Sequence, residues 1–431
     1  MSQRRRQAAL VAYRAASDLA GKGAFFLVTL VAARRLSQDG FGLFSLGTTV
    51  GWIAAVATDF GIQLHLAREV AQRPGDSTRL LGAWLKVRVW TAALALATVA
   101  VGLALTSPSP AFSRAILLFT LVYIVYGLIE FLHYFYRGLA RSDVESTLTL
   151  WQRLAMLTLA TAALWWRPDV TVLAVAMAIP AVVTFWYSAR LATRLANTNS
   201  SNLSNLSNLS NLSNPSNPRN SLGSVIPIGA GIVLSALYFR IDIFLVQAWQ
   251  GTTAVGLYNA VFRLVEALRL FPAAVLAVAL PVLFRATSRQ ALLKLSTLLT
   301  AAAIAVSFAL WMSAGVVPLL YGDRYRDAVP AFRILLLAFP LMSLNYALTH
   351  QLIGWHGHRA YAAMCGAALA VNVALNVKLI PSIGIVGAAW ATVATEFVIT
   401  FGCLIALARI SRFSNLSNLS NPSNLFSVVL S

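Results

Sequence analysis

The chain has 431 residues, 58% of them apolar and only 11% charged, with 33 lysines and arginines against 14 aspartates and glutamates for a net charge of +19. An ordinary soluble domain carries roughly a quarter charged residues, so this chain, with a mean hydropathy of +0.73, cannot clothe a water-facing surface and must turn most of its exterior to hydrocarbon. The basic residues are scattered between apolar runs, which excludes a nucleic-acid-binding module and makes the lipid bilayer the first partner.

Arg4, Arg5 and Arg6 precede an apolar stretch in the manner of a signal peptide, with Val31-Ala32-Ala33 in the place of a cleavage site. Lys22 interrupts that stretch, Arg34-Arg35 follow it directly and further spans come after, so it reads as a retained first helix. Stretches of about 20 mostly apolar residues recur near 12–33, 41–66, 83–106, 112–136, 146–166, 170–192, 224–248, 254–281, 292–319, 328–353, 360–380 and 384–408. About twelve transmembrane helices put both termini on one side. Most lysines and arginines then fall on the side of the N-terminus, so both termini are expected in the cytoplasm. The clearest clusters are Arg4 to Arg6, then Arg68, Arg73, Arg79, Lys86 and Arg88, then Arg285, Arg289 and Lys294. Arg34 and Arg35 break this rule.

Asn-Leu-Ser triplets with Pro215 and Pro218 follow the sixth span and recur at 414–424, a low-complexity composition with no packing role. The domain boundaries expected are 1–196 for one six-helix lobe, 197–222 for a linker, 223–412 for a second lobe and 413–431 for a tail. The lobes look like copies: Asp39-Gly40-Phe41-Gly42-Leu43-Phe44 opens the second span and Thr253-Ala254-Val255-Gly256-Leu257-Tyr258 opens the eighth, 214 residues later. An even number of spans per copy gives parallel repeats. The fold expected is an all-α integral membrane protein of two six-helix lobes, related by a pseudo-twofold axis along the membrane normal, with a cavity between them.

A charge at bilayer depth costs about 2.5–3.5 kcal/mol on insertion scales, so such residues normally face a bundle interior or a wet cavity. Asp18 and Lys22 stand one turn apart on the first span and either neutralise each other or present Lys22 to an anion. Tyr123, Tyr126, Glu130, Tyr134 and Arg137 share a face of the fourth span with His133 beside it, suited to helix packing or to a sugar ring or prenyl chain. Asp59 and Gln63 share a face, as do Tyr238 and Asp242, with Arg240 projecting elsewhere. Arg263, Glu266 and Arg269 step three apart, leaving one positive charge over. Lys22, Arg240, Arg263, Arg269, Tyr123, Tyr126 and Tyr134 are the candidate substrate contacts, and Asp59, Glu130, Asp242, Glu266 and Glu396 the candidate cavity or coupling acids. A fully paired structural network is the competing reading. Prolines at or inside the spans, including Pro180, Pro227, Pro272, Pro330 and Pro340, bend helices.

Cys365 and Cys403 lie in apolar stretches and make neither a disulfide framework nor a zinc site, and no phosphate-binding loop or hydrolase motif occurs. No cofactor, metal or catalytic residue is expected, and the chain is read as a non-enzyme.

Ala33-Arg34-Arg35-Leu36-Ser37-Gln38-Asp39-Gly40-Phe41-Gly42-Leu43-Phe44, then Asp59-Phe60-Gly61 with Ala67-Arg68-Glu69-Val70-Ala71, resembles the N-terminal signature of polysaccharide-biosynthesis membrane proteins. These are Wzx-type flippases of the superfamily of multidrug and oligosaccharide exporters. Arg240-Ile241-Asp242 and Val255-Gly256-Leu257-Tyr258-Asn259-Ala260 with Arg263, Leu264 and Glu266 are similar to them too. The resemblance implies alternating access and export of an undecaprenyl-pyrophosphate-linked oligosaccharide, a repeat unit of O-antigen, capsule or exopolysaccharide, across the bacterial cytoplasmic membrane. It also implies a glycan polymerase and export proteins as further partners. The alternatives are a proton- or sodium-coupled antiporter of the related multidrug-extrusion branch and, less compatible with the short loops, a membrane glycosyltransferase or polymerase.

Overall fold

A computed structural model describes the backbone of residues 3–106, 108–204, 219–276, 289–355 and 357–419, and the side chains of residues 13–14, 16–106, 108–198, 229–276, 293–355 and 357–409. The expectations placed on Arg4 to Arg6, on Arg285 and Arg289 and on most of the two triplet segments fall outside the described side chains. Helix is the regular structure throughout the described residues, with no strand among them.

In chain order the helices are α1 (Gln3–Arg35), α2 (Gln38–Asp59), the short α3 (Ile62–Gln72), α4 (Ser77–Thr106), α5 (Pro110–Gly138), α6 (Ser142–Trp166) and α7 (Val170–Ser204). There follow α8 (Arg219–Leu268), α9 (Arg289–Met312), the single-turn α10 (Val316–Tyr321), α11 (Val329–Gly354), α12 (His358–Ile383) and α13 (Ile385–Leu419). Among the described residues ten segments are long and apolar enough to cross a membrane, and the longest of them, Gly229–Leu276, is bent into two. With that segment counted twice and α6 added, each expected span meets a helix over its described part; the second breaks at the left-handed Phe60–Gly61, where α2 ends, and residues 277–281 of the eighth lie outside the described residues. The bend sits at Gly251, whose φ of 78° belongs to the left-handed region that favours glycine.

Local chemistry sets the helix ends. Ser37 caps α2 by accepting from the Gly40 amide at 2.9 Å, with Asp39 in the first turn where the helix dipole favours an anion. Ser109 and Pro110 begin α5 in the same way, the serine accepting from the Phe112 amide. The helices α7 and α13 run past the expected lobe boundaries, through Ser204 and Leu419, because a helix once begun extends without needing apolar side chains.

The helices sort into two six-helix lobes. In the first, α2 packs on α5, α1 on α6, and α7 on both α5 and α6; in the second, α8 packs on α12, α12 on α13, and α11 on α9 and α13. The principal seam between lobes is α2 against α8. Gly42 and Gly256, at matching positions of the two copies, make that seam possible: a Cβ on Gly256 would stand 2.6 Å from the Gln38 carbonyl, and one on Gly42 would strike the Thr252 carbonyl. Outside, Trp90, Leu94, Trp166, Phe308 and Phe401 are exposed, the apolar exterior that the composition demanded.

Candidate substrate cavity

Away from the α2–α8 seam the lobes part around a cavity of about 1000 Å³. Its walls come from the middle of α1, the second halves of α2 and α5, the start of α6, both limbs of α8, the end of α11, the start of α12 and α13. It therefore occupies the end of the bundle at which α1, α6 and α12 begin. Asp18 and Lys22 line it and remain exposed, so water enters there.

Of the expected residues, Lys22, Tyr123, Tyr126, Glu130, Tyr238, Arg240, Arg263, Glu266, Arg269 and Glu396 line the cavity. Asp59, Asp242 and Tyr134 do not. Asp59 ends α2, where it accepts from the Gln63 amide at 3.1 Å. Asp242 is buried and accepts from the Tyr258 hydroxyl at 2.5 Å, which in turn lies 3.2 Å from Thr392. Tyr134 carries the Arg137 guanidinium 4.1 Å over its ring. The face expected on α8 is thus rearranged: Tyr238, Phe239 and Arg240 all reach the cavity, whereas Asp242 turns into the lobe. The wall curves round α8 and takes in more than one helical face.

The charges divide into two clusters. On the first lobe, Lys22 contacts Asp18 at 2.8 Å, Arg137 bridges Glu145 at 2.5 Å and Glu130 at 3.2 Å, and His133 lies 3.6 Å from Glu130. Arg14 approaches Glu145 at 3.8 Å. Outside the spans, at the head of α6, two hydrogen bonds of 3.0 Å from Arg141 hold the Asp143 carboxyl below its ordinary range. On the second lobe, Arg240 and Arg263 each donate to the same oxygen of Glu266 at 2.7 Å.

Among the described residues no carboxylate lies within 4 Å of Arg153 or Arg269, which lean on aromatic rings instead. Arg153 sits 5.1 Å from the centre of Tyr126 and Arg269 4.6 Å from that of Phe239. Glu396 has no cation within 4 Å among the described residues and accepts from the Asn345 amide at 2.7 Å. The Thr400 hydroxyl, donating to Asn345 Oδ1 at 2.8 Å, fixes the way that amide points. Formally, the first-lobe wall carries Arg14, Lys22, Arg137 and Arg153 against Asp18, Glu130 and Glu145. The second carries Arg240, Arg263 and Arg269 against Glu266 and Glu396. Each wall is therefore one positive charge in excess.

The sequence reading passes over Arg153 and Asn345. Arg153 does leave a signal: the positions three and four away on α6 hold Thr149, Leu150, Met156 and Leu157, so no acid of its own helix can neutralise it.

A family profile described as polysaccharide biosynthesis protein matches residues 9–287. No curated protein sequence matches the chain. The fold is shared with solved transporters of the superfamily named MOP. An inward-facing multidrug-resistance transporter of its MATE family, 14% identical, superimposes with a TM-score of 0.71 over 91% of this chain and 96% of that one. The outward-facing form of such a transporter gives 0.66 at 14% identity over 94% and 96%. A MOP transporter from Pyrococcus furiosus, described as having a binding pocket of reverse polarity, gives 0.64 at 14% identity over 93% and 95%.

Proposed function

This chain belongs to the polysaccharide biosynthesis protein family, and from that premise we propose that it is a flippase for a polyprenyl-pyrophosphate-linked oligosaccharide, working by alternating access between its two lobes. The observation that carries this reading is the excess positive charge on each facing wall of one water-accessible cavity. A pyrophosphate headgroup does not cross hydrocarbon unaided, and cations held in a wet passage lower that barrier while the prenyl tail stays in lipid. Two walls with one surplus cation each suit a ligand with two negative charges bound between them.

Arg153 and Arg269, with no carboxylate within 4 Å among the described residues, are the proposed first contacts for phosphate. Arg240 and Arg263 share a single carboxylate and contribute the remaining attraction, with Lys22 at the mouth beside Asp18. Tyr123, Tyr126 and Trp52 offer ring faces to sugars. Glu130 and Glu396 are the proposed acids for ion coupling. The proposed setting is a bacterial cytoplasmic membrane with both termini inside, so that the cavity faces the cytoplasm and the loaded lipid, with polymerase and export proteins acting downstream.

The test is export of surface polysaccharide by a strain dependent on this chain. Arg153→Ala, Arg269→Ala, Lys22→Ala and Arg263→Ala are expected to lower export and to leave lipid-linked repeat units on the cytoplasmic leaflet. Wild-type export in all four would sink the reading. The fold shared with multidrug transporters supports a second one, small-molecule antiport; lost drug tolerance with unchanged glycan export would favour it, although surplus basic charge does not suit cationic drugs.

A further inference from the structure

Arg34 and Arg35 sit at the end of the bundle opposite the cavity mouth, where the rule for basic residues leaves them unexplained. Each binds backbone carbonyls at the end of a helix. Arg35 stays within its own lobe, donating to the carbonyls of Leu164 and Trp165 in the last turn of α6 and lying 4.5 Å over the Trp165 ring. Arg34 crosses to the other lobe. Its Nε donates to the Leu320 carbonyl and its Nη2 to the Leu319 carbonyl, each at 2.6 Å, in the last turn of α10.

The second lobe returns the contact. Arg324 and the Tyr325 hydroxyl both donate to the carbonyl of Ala33 in the last turn of α1, and the Gln38 amide donates to the Arg324 carbonyl at 2.5 Å. Phe41 meets the Tyr325 ring edge to face at 6.0 Å beneath them.

We propose that Arg34 and Arg324 form a reciprocal latch, each capping a helix C-terminus of the opposite lobe, and that this latch holds the molecule closed at the end away from the cavity mouth. It rests on the alternating-access reading above and concerns how the cavity is gated. The last carbonyls of a helix lack partners within it and carry the negative end of its dipole, so a guanidinium is their natural cap. Parting the lobes here strips both caps at once. A guanidinium does not deprotonate in the physiological range, so acid and base leave the latch untouched. Release must come through the helices, and α1 supplies the route: Lys22 at the cavity and Arg34 at the latch are twelve residues apart on one continuous helix, about 18 Å along its axis.

The experiment uses the full chain, purified and substrate-free, with Cys365 and Cys403 replaced by serine and spin labels placed at Arg167→Cys and Asp327→Cys. Both positions are exposed, belong to opposite lobes and lie outside the latch. The unsubstituted latch is expected to give one short distance. Arg34→Ala with Arg324→Ala is expected to move at least half of the population to a longer distance, and Arg34→Lys, which offers one point charge in place of a fork, to lie between. If the double variant misfolds, Arg34→Gln, checked for a monodisperse elution profile, carries the same expectation more weakly. An unchanged distance profile in the folded variants overturns the latch. Because the readout needs no substrate, a shifted profile together with wild-type export by all four cavity variants named above would refute the export reading and leave the latch standing.

Discussion

The side-chain amide of Asn259 donates to the hydroxyl of Ser45 across the seam between lobes, at 2.8 Å, with both residues fully buried. They stand 214 positions apart, the same interval as Gly42 and Gly256, so matching sites of the two copies meet face to face. Parallel duplicates related by a twofold must do this along their axis, and here the contact is polar. Asn259 also accepts from Arg240 at 3.3 Å, which ties the seam to the charges of the cavity.

Asn259→Ala leaves Ser45 and Arg240 without this partner in a buried place. A buried polar group left unpaired costs about 1–3 kcal/mol, so the thermal midpoint of the purified protein should fall. Ser45→Ala should fall by less, since Asn259 keeps Arg240; equal shifts would separate the seam from the cavity charges.

Replacing Glu266 by glutamine removes the one carboxylate shared by Arg240 and Arg263. Deleting one partner of a fully buried pair costs about 3–5 kcal/mol; Glu266 is part-exposed to the cavity, so the loss should fall below that range even though two cations lose the same anion. Adding Arg240→Gln to Glu266→Gln should restore part of the loss. Thermal unfolding in detergent of the single and double variants measures it, and a double variant less stable than the single would contradict the geometry.

Gly256→Ala should prevent the close crossing of α2 and α8, because the new methyl meets a backbone carbonyl that cannot turn aside. Gly82→Ala is the control: nothing lies within 4 Å of its Cβ position on α4. Yield of folded protein should collapse for the first and hold for the second.

Glu396→Gln preserves shape and still offers an oxygen to Asn345, so the protein should still fold. Export measured against external pH is the informative readout. If Glu396 carries a coupling proton, the variant loses the pH dependence of the wild type; an unaltered profile removes it from that role.

The helices and their duplication were legible because span length and repeated Gly-containing openings survive in one dimension. The cavity was only partly so. Helical spacing grouped Tyr238 with Asp242 and set Arg240 apart, yet the wall takes Tyr238 and Arg240 and sends Asp242 to Tyr258, sixteen residues further along the chain. Periodicity names faces of one helix and is silent on which neighbour each face meets. Glu266 likewise has Arg263 and Arg269 at equal spacing in the sequence, but α8 ends at Leu268, the bend at Gly251 brings in Arg240, and Arg269 goes to Phe239. Arg34 and Arg35 gave no reason for themselves because their partners are main-chain carbonyls, which every sequence has.

The bend at Gly251 also bears on how the chain reaches the bilayer. By folding α8 back on itself it forms a helical hairpin whose two limbs already hold Arg240, Arg263 and Glu266 in contact. A hairpin inserted as one unit meets lipid with Arg240 already facing Glu266, whereas the first limb delivered singly would carry Arg240 into the hydrocarbon without that carboxylate. The glycine that shapes the finished protein thereby also lowers the cost of carrying Arg240 into the bilayer.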